Sequence, residues 1–235
     1  MPIHTTDAIV LRKQDIRETS LLVTFYTRDF GKIRGLIKGI RGPRGPLGFQ
    51  AQLFTLNRIV FYDSRKSGVH TVSQCDLQDY FGSIREDIAN TSYACYFLEL
   101  TDAITGENDK NEEVFDILLK SLELLNAGSG GKRVSRILEI KLLRLSGLMP
   151  RISDDELFGR KIMRGTANFI EHVGRAPYEK LERIKVSRDV GEELEGIMRS
   201  VLDYHLEVRM KTLDFLDKIE VGDKNVKQEP ITAKG

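Results

Sequence analysis

Residues 31–49 read GKIRGLIKGIRGPRGPLGF, with five cations (Lys32, Arg34, Lys38, Arg41, Arg44) and no acid. The chemistry open to such a run is electrostatic: guanidinium and ammonium groups neutralise an anion, above all a phosphate backbone. On a strand, alternate side chains share a face, which sets Lys32, Arg34 and Lys38 on one side and Ile33 and Ile37 on the other. One face would close a core while the other follows phosphates. Gly39, Gly42, Gly45 and Gly48 then recur every third residue, giving an open backbone whose N–H groups can approach an anion closely. Phe25, Tyr26, Phe30, Phe49 and Tyr62 are placed either to stack on bases or to fill the core. The competing reading of the run is a solvated edge strand followed by a mobile loop. The Gly39–Gly42 spacing lacks the flanking helix that a KH loop requires.

A second candidate lies at residues 132–145. At about 100° per residue, Val134, Leu138, Leu142 and Leu145 form one stripe of a helix. Ile137, Ile140 and Leu143 fall nearly opposite, interleaved with Arg133, Arg136 and Arg144. Two readings stay open. The helix is buried on both sides with snorkelling arginines, or Arg133, Arg136, Ile137, Ile140 and Arg144 line a groove for a peptide that carries both acidic and apolar groups.

Nothing in the chain assembles a catalytic site. Gly131-Lys132 resembles the end of a phosphate-binding loop, but Arg133 stands where Ser or Thr is needed and Asn126 where the first glycine is needed. No H-E-x-x-H or G-x-S-x-G occurs. His4, His70, His172 and His205 are scattered. Asp154-Asp155-Glu156 after Ser153 read as the acidic first turn of a helix. Cys75 and Cys95 form no C-x-x-C pair, so a four-ligand zinc site has no support and both read as small buried residues. The expectation is a protein that binds rather than catalyses, without a cofactor.

The elements that must position these residues change character near residue 80. In 1–80 there are 12 Lys/Arg and 7 Asp/Glu; in 81–235 there are 24 and 28, so a whole-chain charge of +1 conceals a basic and an acidic part. Before Asp79 the pattern predicts strands at 8–12, 20–28, 32–40, 53–62 and 69–74, rich in Ile, Val, Phe, Tyr and Thr. Asp29-Phe30-Gly31-Lys32 predicts a hairpin turn. After Tyr80 the spacing predicts helices: one capped by Ser83-Ile84-Arg85-Glu86 and running to about Ile104, one starting at Asn111 and ended by Gly128–Gly131, one over 132–145, and one over 188–209. The fold class expected is α+β: a five-stranded OB-fold barrel over 1–80, a mainly α-helical domain over 81–220, and a disordered tail over 221–235. No apolar run is long enough to cross a membrane, and residues 1–15 lack the features of a signal peptide. A soluble cytoplasmic protein is the expectation.

Along nearly the whole chain the sequence resembles the RecO family of bacterial recombination mediators. The residues are Ala8-Ile9-Val10-Leu11, Thr27 with Gly31-Lys32, Lys38-Gly39-Ile40-Arg41, Leu98-Glu99-Leu100, Lys141-Leu142-Leu143-Arg144-Leu145 leading to Gly147 and Pro150, Tyr204-His205-Leu206, and Lys211-Thr212-Leu213-Asp214-Phe215-Leu216. Their order and spacing carry the likeness. The resemblance implies an OB-fold followed by helices, binding of single- and double-stranded DNA, annealing of complementary strands, and association with the bacterial nucleoid. It also implies contact with the acidic tail of single-stranded DNA-binding protein, and joint action with RecR in loading the RecA recombinase. It carries DNA contact onto Lys32, Lys38 and Arg41; Arg34 and Arg44 rest on the charge pattern. Many members have a four-cysteine zinc motif where this chain has residues 151–164, which contain no cysteine. That loop is then expected to be held by packing of Leu157, Phe158, Ile162 and Met163. An OB-fold RNA-binding module and a structural adaptor that does not touch DNA are the alternatives.

Overall fold

The structure, a computed structural model, describes residues 2–16, 20–38, 50–64, 67–152, 156–157, 159–181, 184–206 and 210–226. Five strands come first: β1 (Ile3–Ile16), β2 (Ser20–Thr27), β3 (Gly31–Lys38), β4 (Leu56–Tyr62) and β5 (Val69–Asp79). They close into a barrel in the order β1-β2-β3-β5-β4, with β3 and β5 parallel and the other pairs antiparallel. This is the five-stranded barrel that the alternation implied. Ala8, Val10, Val23, Phe25, Ile33, Ile37, Ile59, Phe61, Val72 and Cys75 fill its interior. Burial pushes the Cys75 thiol up to about 12, the nearby Asp76 adding to it, so it stays protonated. The hairpin between β2 and β3 turns at Gly31, whose φ is +66°.

Helices follow: α1 (Gly82–Arg85), α2 (Ile88–Ile104), α3 (Glu112–Asn126), α4 (Gly131–Leu145), α5 (Arg164–Arg175), α6 (Arg188–His205) and α7 (Lys211–Val226). The Ser83–Glu86 capping box does not open the long helix. α1 ends at Arg85, and the Asp87 side chain caps α2 by accepting from the Asn90 N–H. Asn111 caps α3 as its sequence position implied, accepting from Val114 N–H. α6 stops at His205, short of the expected 209. Residues 221–226, read as tail, continue α7; 227–235 lie outside the described residues.

In the 151–164 segment a short hairpin pairs Glu156–Leu157 (β6) with Arg160–Lys161 (β7). Leu157 is buried and Ile162 packs partly against the helical core. Met163 corrects the expectation: its side chain is exposed, and its contribution is a backbone N–H donated to the Glu193 carboxylate at 3.0 and 3.1 Å. Phe158 lies outside the described residues. With no cysteine present, these residues do not fit the zinc motif.

One apolar cluster runs from Ile9, Leu11, Tyr26 and Phe54 of the barrel through Phe81, Phe97 and Phe115 to Met198 and Val201 of the helices. The helices therefore pack on the outside of β1 and β2, and the two parts share a core. The loop from α2 to α3 completes the joint. Asn108 N–H donates to the Lys32 carbonyl at 2.8 Å, and Glu107 bridges to Lys32 along the edge of β3 that β5 does not reach. A β-carbon on Gly31 would stand 2.0 Å from the Asp109 carbonyl oxygen.

Gly31→Ala should thus lower unfolding stability by about 1–3 kcal/mol, because it adds a backbone collision to an unfavourable φ. Gly68→Ala, also at positive φ (+63°) but facing only a side-chain atom at 3.4 Å, should cost less. Urea unfolding of the two variants checks the order.

Candidate nucleic-acid interface

The outer face of β1, β2 and β3 is built in cross-strand rows. A bulge at Leu11 shifts the register of β1, so that Arg12, and not Leu11, lies opposite Thr24. The first row is Ile9, Tyr26 and Lys32; the second Arg12, Thr24 and Arg34; the third Gln14, Leu22 and Leu36; the fourth Ile16, Ser20 and Lys38. The first row is covered by the helices: Ile9 and Tyr26 are fully buried, and the Tyr26 hydroxyl donates to the Asn111 carbonyl at 3.2 Å. Burial, with Asp109 nearby, pushes Tyr26 up to about 12. The third and fourth rows are open. Leu22 and Leu36 are half-buried, while Gln14 and Lys38 are exposed.

Between covered and open rows lies a groove of about 560 Å³, lined by Arg12, Lys13, Gln14, Leu22, Thr24, Lys32, Arg34, Asp102 and Glu107. Its cations differ in availability. The Lys32 ammonium is only 12% exposed and donates to the Asp102 carboxylate at 3.0 Å and the Asp102 carbonyl at 2.6 Å. It ties β3 to the end of α2, so a place among free phosphate contacts does not suit it. Arg34 lies 2.9 Å from Glu107, both groups substantially exposed. Arg12 is 73% exposed and only grazes Asp102 at 3.4 Å. Lys38 stands at the end of β3, from which the chain enters the segment holding Arg41 and Arg44; these two lie outside the described residues. Lys32, Arg34 and Lys38 do share the outer face, but they are not equivalent.

Of the two readings of the aromatics, the structure supports core filling for Phe25, Tyr26 and Phe30. Phe25 and Tyr26 are fully buried, and Phe30 packs edge-on to Phe61 with ring centroids 5.3 Å apart. The open face presents Leu22 and Leu36 instead. Arg12 and Gln14 were missed in the sequence because the Leu11 bulge, which sets their face, leaves no local signature. Leu36 shares the parity of Arg34 and Lys38 and was readable from alternation, and Leu22 joins it by pairing across from β2.

The α4 candidate also divides. Ile137, Ile140 and Leu143 are completely buried, so the helix is core on both sides and these isoleucines cannot touch a peptide. The Arg136 guanidinium donates to Glu139 at 2.6 Å, and the same buried carboxylate accepts from the Tyr96 hydroxyl at 2.6 Å. Arg144 faces α5, 3.7 Å from Glu171 and against Gly174. A groove of about 810 Å³ does exist beside α4, formed by Lys132, Arg133 and Arg136 with Ile184, Lys185, Val186 and Arg188. Its apolar floor comes from the segment before α6, which the helical periodicity of α4 could not reveal. Arg133 makes no ion pair with any described residue, and Lys185 is exposed. Among the described residues no three His, Cys, Asp or Glu side chains gather as metal ligands, and no helix is long and apolar enough to cross a membrane.

Comparison with known proteins adds a family to this geometry. Residues 1–81 match the family model for the recombination protein O N-terminal region, and residues 85–167 match the one for its C-terminal region. A DNA repair protein RecO from Desulforamulus reducens is 28% identical over 248 residues, covering 93% of this chain and 96% of the relative. One from Moorella thermoacetica is 27% identical, covering 95% and 93%. One from Listeria monocytogenes is 33% identical over 153 residues, covering 65% and 59%. The barrel, the helices packed on it and two family models spanning both parts agree: the chain belongs to the RecO family.

Proposed function

We propose that this protein acts in DNA repair as a non-enzymatic recombination mediator that binds DNA on the open half of the barrel face and anneals complementary strands. The observation that carries the reading is the juxtaposition, on one exposed sheet face, of Arg12, Arg34 and Lys38 with half-buried Leu22 and Leu36. Guanidinium and ammonium groups would neutralise phosphates of either strand, and the leucines would meet base faces. Arg41 and Arg44 would extend the track. Neutralising both strands lowers their mutual repulsion, which is what annealing requires of a protein without chemistry of its own. Lys32 enters as a positioning group.

The groove beside α4 supports the second part of the reading. Cations around Ile184 and Val186 suit the acidic, apolar tail of single-stranded DNA-binding protein. Held by that tail on a coated strand, with RecR as partner at the nucleoid, the protein would clear the way for RecA.

For single-stranded DNA, each phosphate contact contributes about −0.7 to the slope of log affinity against log salt. Lys38→Gln should therefore flatten the slope by about 0.7, and the annealed DNA should be recovered intact in magnesium or manganese. A salt-independent affinity would overturn the basic-face reading, and preference for matched RNA would favour an RNA-binding module. Arg133→Glu combined with Lys185→Glu should weaken binding of the acidic tail peptide at least about tenfold with an unchanged circular dichroism spectrum. Arg136→Glu is unsuited to this test. It would bury a second carboxylate against Glu139 and cost several kcal/mol of stability.

A further inference from the structure

The Arg34–Glu107 pair is imperfect in a particular way. Glu107 Oε1 lies 2.9 Å from Arg34 Nε, yet that N–H has no acceptor in line although it is shielded from water; the aligned bond is the 3.3 Å one from Nη2 to Oε2. The guanidinium is thus held by an anion that leaves part of its fork unused. Glu107 itself is fixed at the backbone, through its bridge to Lys32 and the Asn108 N–H bond to the same residue's carbonyl. Its carboxylate nevertheless remains 47% exposed. Asp102 is the contrasting case, 19% exposed and locked onto Lys32 from two oxygens.

We infer that Glu107 is an internal competitor for phosphate: its carboxylate occupies Arg34 in the free protein and is exchanged for a DNA phosphate on binding, which sets the affinity of the barrel face. This deepens the DNA-binding reading and rests on it. Two oxygens of one phosphate can take Nε and one Nη together, in the bidentate geometry that guanidinium favours, so exchange improves the bonding of Arg34. The competition keeps binding weaker than the number of cations alone would give. For an annealing factor that property matters, since the protein must leave the duplex once it has formed.

The test is single-strand binding by the full chain across a salt series, with Glu107→Gln, Arg34→Gln and the double variant. Glu107→Gln should tighten binding about two- to fivefold at low salt, the range spanned by exposed ion pairs. That gain should vanish in the Arg34→Gln background. Glu113→Gln, an exposed acid in the first turn of α3, should give less. A gain that persists without Arg34, or is matched by Glu113→Gln, would mean general charge repulsion and overturn the exchange. No gain in an otherwise salt-sensitive wild type overturns it too. If the wild type binds no DNA at low salt, the DNA-binding reading itself fails, and the two failures are thus distinguishable.

Discussion

The outer face of β1, β2 and β3 changes character halfway along its length, and most of the molecule depends on where that change falls. Below it, Ile9, Leu11 and Tyr26 must leave water, and they do so under α2 and α3. Above it, Arg12, Gln14 and Lys38 remain solvated. The helical part is therefore fixed on the barrel by the hydrophobic effect over one half-face, and the other half-face is left bare by the same packing. A small barrel with both halves exposed would carry a large apolar patch; one with both covered would have no surface for a polyanion.

Charge follows this division. The basic excess of the first 80 residues is partly spent between the two parts of the molecule, where Lys32 and Arg28 are matched by Asp102, Glu112 and Asp116 of the acidic remainder. Arg28 also lies over the Phe115 ring, 4.4 Å from its centroid. These pairs orient the helices on the barrel. On the open half-face Arg12 reaches Asp102 only at 3.4 Å, and Arg34 is paired with Glu107, whose side chain is 47% exposed.

The helical part uses charge differently. Glu139 is completely buried, and it is tolerable there because Arg136 and the Tyr96 hydroxyl satisfy both of its oxygens. Desolvation, with the carboxylate adding to it, raises Tyr96 well above the ordinary tyrosine range and keeps it a donor. The network joins α2 to α4 and holds Arg136 at the wall of the groove. Glu99 does similar work at a helix end: it accepts from the N–H groups of Lys211 and Thr212 at 3.0 and 2.9 Å, capping α7 from α2.

Local pattern alone located the five strands of the barrel, the Gly31 turn, the Asn111 cap and helices α3 and α4, because alternation, positive φ and a cap are written within a few residues of where they act. It stopped short on β1, expected over 8–12 and running Ile3–Ile16, and on β5, expected over 69–74 and running Val69–Asp79. α5 and α7 were not legible. Gly165 and Gly174 weaken the first as a helix on paper, yet Gly174 leaves room there for the Arg144 side chain, and the cap of α7 lies 112 residues away. Ile137 and Ile140 were legible as a stripe that is either core or the wall of a groove, and packing decided for core. Of the five cations singled out by spacing, sequence could group them but not rank them. Rank depends on Asp102 and Glu107, some 70 residues distant, and on a bulge at Leu11 that sets which way Arg12 points. Composition fixes how many charges a chain has; only tertiary packing decides which of them already have a partner, since Coulomb interaction acts through space and is cut off by distance and solvent.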